Sequence, residues 1–164
     1  MRRKDREITD LDEIVEKVID RSDVIRLGLA DGDYPYIVPM NYGYQYKDGQ
    51  LEFYVHGAES GRKMELISRN PVCSFEIDTG HRPVFIMDKK YATMNFESAM
   101  GRAEIHIIED ENEKVRMLDN LVERCDPPEG FVYNEKSVPH TAVMKLVVTE
   151  ITGKANRKKS QPDY

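Results

Sequence analysis

Two Asp-Gly turns bracket one long alternating run in this chain, and they constrain its fold more than any other feature. Asp31-Gly32-Asp33 precedes the run from Tyr34 to Tyr46, and Lys47-Asp48-Gly49 follows it. Such dipeptides supply the positive φ that tight reversals need, so the strands on either side run antiparallel. Val24 to Leu29 reads as the strand before the first turn, and Leu51 to Val55 as the strand after the second. Three successive antiparallel strands do not fit the strand-helix-strand rhythm of a doubly wound fold.

The rest of the chain is read in the same way. Leu11, Ile14, Val15, Val18 and Ile19 fall at helical spacing behind Thr9, which is placed to cap that helix. Gly61 to Arg69 predicts a short helix that Asn70-Pro71 stops, because a residue before proline is pushed out of the α region. Val72 to Asp78 is the next strand. Residues 79–90 show no clear period and are expected to form a loop, with Val84 to Met87 keeping part of it buried. Tyr91 to Ile108 reads as one long strand, or as a strand with a bulge at Gly101. Glu109 to Arg124 reads as a helix with Val115, Leu118, Leu121 and Val122 on one face. Thr141 to Ile151 is a last strand, apolar on both faces, which suits a central position or a subunit interface. The polar, basic tail from residue 154 to 164 is expected to be mobile. The fold class is therefore mainly β with flanking helices, a closed or split antiparallel barrel of six or so strands in one domain over residues 1–153.

With 164 residues, a net charge of −6 and a pI near 5.3, the chain lacks the basic face that a duplex nucleic-acid binder needs. Cys73 and Cys125 stand far apart without a CxxC pair, so the reading is two reduced thiols in a cytoplasmic protein, with neither a disulfide framework nor a zinc site. The basic opening Met1 to Glu7 leads into no apolar segment, and no long apolar run follows, so a membrane partner is not expected. His56, His81, His106 and His140 make no metal-ligand spacing with one another.

The stretch from Val38 to Lys63 carries the functional reading. Gly57 and Gly61 let backbone N–H groups approach a ligand, Ser60 is placed to cap the following helix, and Arg62 and Lys63 bring two cations to its N-terminus. Those features suit a phosphate, although an ordinary helix start with solvated cations has the same composition. Pro39, inside a strand, argues for an edge or for a face turned toward something other than a neighbouring strand. Its backbone could then read a polar ring edge. His56 ends a strand just before Gly57, where a side chain can face a cavity. Ser98, Ala99, Met100 and Arg102 allow two readings: a barrel strand with a bulge, or small and flexible positions against which a planar ligand lies, with Arg102 near its charged end.

Taken in order, these segments resemble one known group. Tyr36 to Tyr44, Phe53 to Ala58 with Gly61-Arg62-Lys63, Asn70 to Cys73, Gly101 to Ile105 and Glu150 to Lys154 are similar to the nitroimidazole-resistance group of the pyridoxamine phosphate oxidase-like, FMN-binding split-barrel superfamily. The resemblance covers nearly the whole chain. It implies a six-stranded antiparallel split β-barrel that forms a homodimer with FMN at the subunit interface. Pro39, Met40, Asn41 and Tyr42 are implied beside the isoalloxazine, His56 and Ala58 near the ring and ribityl chain, and Ser60, Arg62 and Lys63 at the phosphate. The loop before Gly101 departs from many relatives, since it reads Asp88 to Glu97 without their cysteine or glycine-rich aromatic motif. The implied activity is a flavoprotein oxidoreductase that takes electrons from NAD(P)H and passes them to a small acceptor such as a nitroaromatic, with His56 as proton donor or substrate hydrogen bond. The alternative from another class is a flavin-, deazaflavin- or haem-binding protein on the same barrel without turnover.

Overall fold

A computed structural model describes residues 4–158. The strands in chain order are β1 (Glu7–Ile8), β2 (Val24–Leu29), β3 (Tyr36–Asn41), β4 (Gly43–Lys47), β5 (Gln50–Gly57), β6 (Val72–Ile86), β7 (Tyr91–Ile108) and β8 (Ala142–Asn156). The helices are α1 (Leu11–Ile14), which runs on into a π-helical turn at Val15–Ile19, α2 (Arg62–Arg69) and α3 (Glu111–Glu123). The strand order is β3-β2-β6-β7-β8-β5-β4, with β1 added to β8. Its two ends, β3 and β4, are consecutive in the chain, so the sheet stays open between them as a split barrel does. The described residues form eight strands rather than six, because β1 adds a two-residue strand and the alternating run divides at Tyr42.

The described residues divide into two compact units. The first comprises Asp23–Phe75 and Gly101–Ile151; the second comprises residues 4–22, Glu76–Met100 and residues 152–158.

In the first unit β2 and β3 pair in the register Ile25↔Met40 and Arg26↔Pro39, and β5 pairs β8 with His56↔Val143 and Gly57↔Ala142. Alternation sends Ile25, Leu27 and Leu29 of β2 and Leu51, Phe53 and Val55 of β5 into one core. Phe53 lies at its centre, edge-on to Tyr42 at 5.4 Å and to Phe75 at 5.3 Å. On the opposite face of β5, Tyr54 packs with Ile108, Val143 and Met117 of α3. Gly43 lets α3 come close to β4, since a Cβ there would stand 3.0 Å from the backbone N of Leu121. Asp110 caps α3, its carboxylate accepting from Glu113 N at 2.8 Å.

In the second unit β1 pairs β8 with Ile8↔Gly153, and Ile14, Val18 and Ile19 are buried beside them. Gly153 is required by contact: a Cβ there would lie 2.8 Å from Ile14 Cγ1 and 2.9 Å from Ile8 Cβ.

Several expectations change. Residues 79–86 are strand, because β6 continues through Gly80 and Pro83 to Ile86, and only Met87–Lys90 turn, with Lys90 at φ 45°. Asp10 rather than Thr9 caps α1, accepting from Asp12 N at 3.0 Å. β7 is one strand through Gly101. β8 runs on to Asn156, with Ala155 and Asn156 buried, so the first residues assigned to the tail are strand. Residues 1–3 and 159–164 lie outside the described residues. The proline stop at Asn70 stands as expected, with Asn70 extended at φ −148°.

Candidate cofactor cradle

Three elements of the first unit meet at one point. β3 brings Met40, the end of β5 brings His56 and Gly57, and the first turn of α2 brings Lys63. A Cβ at Gly57 would collide with Lys63 Nζ and stand 3.8 Å from Met40 Cε, so the ammonium rests against bare glycine backbone under the methionine tip. Gly61 occupies the N-cap of α2 at φ 105°, a conformation open to glycine alone, and no side chain caps the helix. Ser60 is therefore exposed in the approach to the helix rather than its cap. The first N–H groups of an α-helix have no intrahelical acceptor, and the helix dipole adds positive potential there.

The two cations at this helix start differ. Arg62 is exposed and engaged: Nε donates to Asp31 Oδ2 at 3.0 Å, Nη1 to Glu65 Oε2 at 3.2 Å, and Nη2 to Asp31 Oδ1. Lys63 is half-buried and has neither a carboxylate nor a hydrogen-bond partner among the described residues. Burial holds its ammonium below the ordinary lysine range. Among the described residues nothing offsets that cost, which is the condition an incoming anion would relieve. Surrounding bulk, and then the charge of Lys63, hold His56 below the ordinary histidine value. Near neutral pH its imidazole is therefore uncharged, suited to a hydrogen bond or to accepting a proton.

The remaining predicted residues are placed as follows. Pro39 is exposed on β3, at one end of the strand order. Asn41 is also exposed, its Nδ2 donating to Asp23 O at 3.0 Å. The Tyr42 ring belongs to the core: only 2% exposed, it lies against Phe53 with the Arg124 guanidinium 4.9 Å above it. The Tyr42 carbonyl oxygen accepts from Arg124 Nε at 3.2 Å. Ala58 is exposed beside Gly57. Arg102 lies on β7 and pairs with Glu150 at 3.4 Å, lining with Ile37, Val72 and Cys73 a cavity of about 690 Å³. Ser98, Ala99 and Met100 fall in the second unit. Sequence reasoning missed Asp31, which anchors Arg62. It was read only as a turn former, and its spacing from Arg62 carries no signal.

A family profile described as pyridoxamine 5'-phosphate oxidase matches residues 11–155. The chain belongs to that family. Among solved structures of similar fold is a candidate 5-nitroimidazole antibiotic resistance protein from Bacteroides thetaiotaomicron, 31% identical, covering 92% of this chain and 90% of that one with a TM-score of 0.77. A flavocytochrome from Azotobacter vinelandii is 22% identical over 99% of this chain and 75% of its own, with a TM-score of 0.78. An FAD and haem binding protein from Mycobacterium smegmatis is 15% identical over 96% and 77%, with the same TM-score of 0.78. The last two, at such low identity, share the fold alone. No curated protein matches the chain. Among the described residues no helix is long and apolar enough to cross a membrane, and no three His, Cys, Asp or Glu side chains come together as a metal set.

Proposed function

We propose that this member of the pyridoxamine 5'-phosphate oxidase family is an FMN-dependent oxidoreductase that passes electrons from NAD(P)H to a small acceptor, a nitroaromatic among them. The observation that carries the reading is Lys63: a half-buried ammonium without a counter-ion, set against Gly57 at a helix N-terminus. A phosphate fits that position in charge and in the donors around it. Lys63 and the first N–H groups of α2 would hold the phosphate, and Ser60 and Ala58 would flank the chain leading from it. The main chain of Pro39 to Tyr42 would face the ring. FMN supplies the two-electron chemistry when bound. The protein's own part is orientation, and His56, uncharged near neutral pH, would hydrogen-bond the acceptor or relay a proton from solvent to it through its ring nitrogen.

The similarity to the Bacteroides protein supports a nitroimidazole as the acceptor to try first. A homodimer belongs to the same proposal: Ile37 and Val72 are 57% and 44% exposed along one face of the first unit, an apolar surface that a second copy would cover. Light scattering after gel filtration tests it, and a monomeric mass would refute the dimer.

The deciding experiment is a visible spectrum of the protein with FMN, before and after anaerobic NAD(P)H. A bound flavin that bleaches supports the oxidoreductase. A flavin that binds and never reduces, or a Soret band from the purified protein, would replace it with the binding-protein reading.

A further inference from the structure

The basic run after Lys154 has no part in the flavin reading, yet in the second unit it helps to wall a cavity of about 930 Å³. Four permanent cations line that cavity, Arg21, Arg82, Arg157 and Lys158, against a single lining carboxylate, Glu97. The carboxylate is buried at 7% exposure, and both its oxygens are taken: Arg21 Nη1 donates to Oε2 at 2.8 Å and Arg157 Nε to Oε1 at 2.6 Å. Two guanidiniums held side by side repel each other, and a buried carboxylate between them is the element that fixes their spacing. Arg157 Nη1 also reaches Glu13 Oε1 at 2.8 Å. A guanidinium carries five N–H donors in a rigid fork, so Arg21 and Arg157 both keep donors that these contacts do not use.

The other two cations are less committed. Arg82 has no hydrogen-bond or ion-pair partner among the described residues. Lys158 is anchored through its main chain, N donating to Asn95 Oδ1 and O accepting from Asn95 Nδ2, each at 2.8 Å, while its ammonium lies 5.0 Å from the Tyr91 ring centroid. His81 lines the same cavity, with Nε2 3.0 Å from Asp78 Oδ2. Glu97 and Glu13 offset Arg21 and Arg157, and Asp78 faces His81, so the positive charge left at the cavity rests on Arg82 and Lys158.

We propose that this cavity binds a small polyphosphate anion of the diphosphate class. Two guanidiniums pre-set by Glu97 match paired phosphate oxygens, and Arg82 and Lys158 meet the remaining charge. A singly charged ion would leave most of these donors unanswered.

Isothermal titration calorimetry with sodium pyrophosphate tests the proposal, using the full chain and a Lys63→Ala variant so that the α2 anion site cannot account for the heat. The expected result is sub-millimolar binding retained in Lys63→Ala, weakened at least fivefold by Arg82→Ala and further by Arg82→Glu, and weakened again by added salt. Both Arg82 variants alter an exposed side chain and leave the Glu97 pairing in place, so circular dichroism should show an unchanged fold. Absence of heat, or binding of equal strength in the Arg82 variants, would overturn it. Pyrophosphate binding lost in Lys63→Ala but kept in Arg82→Ala would assign the anion to α2 and overturn it as well.

Discussion

At the scale of single residues, Lys63 and His56 are both held below their ordinary values, first of all by burial. Lys63→Ala removes a charge-assisted contact to the phosphate, typically about 1.5–3 kcal/mol, so FMN affinity should fall roughly ten- to a hundredfold in a fluorescence titration. An unchanged affinity would remove Lys63 from the phosphate site. His56 gives a stability prediction with a definite sign. Its folded-state value lies below the ordinary one, so the unfolded chain binds the proton more tightly, and stability falls as pH drops through the ordinary histidine range. His56→Gln should flatten that decline in urea midpoints measured between pH 7.5 and 5.5; parallel curves would show that folding does not lower the residue's proton affinity. Lys63, Gly57 and His56 were legible in the sequence because glycines beside paired cations at a helix start are a local pattern. The unequal roles of Arg62 and Lys63 were not, because Asp31 comes from a distant turn.

At the scale of elements, the strands between Asp-Gly turns and the proline-stopped helix were readable because their signals are local: turn φ, alternation and the residue before proline. β6 was cut short at Asp78 because Gly80 and Pro83 are read as breakers, and only pairing within a sheet overrides them. The sequence leaves Gly101 open between an unbroken strand and a bulge; the strand is unbroken, and the need for glycine is a packing matter. A Cβ there would collide with the Glu150 carbonyl oxygen and stand 2.7 Å from Phe75 Cε1. Because backbone would have to move, Gly101→Ala should cost about 3 kcal/mol and lower Tm by roughly 6–12 °C. A loss under 2 °C would show that β7 and β8 yield easily. Gly61→Ala differs in kind: nothing crowds its Cβ position, and the penalty, about 1–3 kcal/mol, comes from a φ of 105° alone.

For the whole molecule, the two cysteines report independently on burial. Cys73 is buried, which pushes its thiol up to about 11, while Cys125 is exposed. At pH 8 one thiol should react rapidly with an aromatic disulfide reagent and the second only on unfolding; two fast thiols would mean that the strand carrying Cys73 opens readily. The sheet's open ends have a consequence of another kind. An end strand offers a row of hydrogen-bonding groups to any extended chain that meets it, and β3 is such a strand, with Ile37 turned outward. Pro39 withholds a donor from the middle of that row. In the proposed function the same proline would let β3 face a flat ring, so one residue would serve both the site and this exposed end.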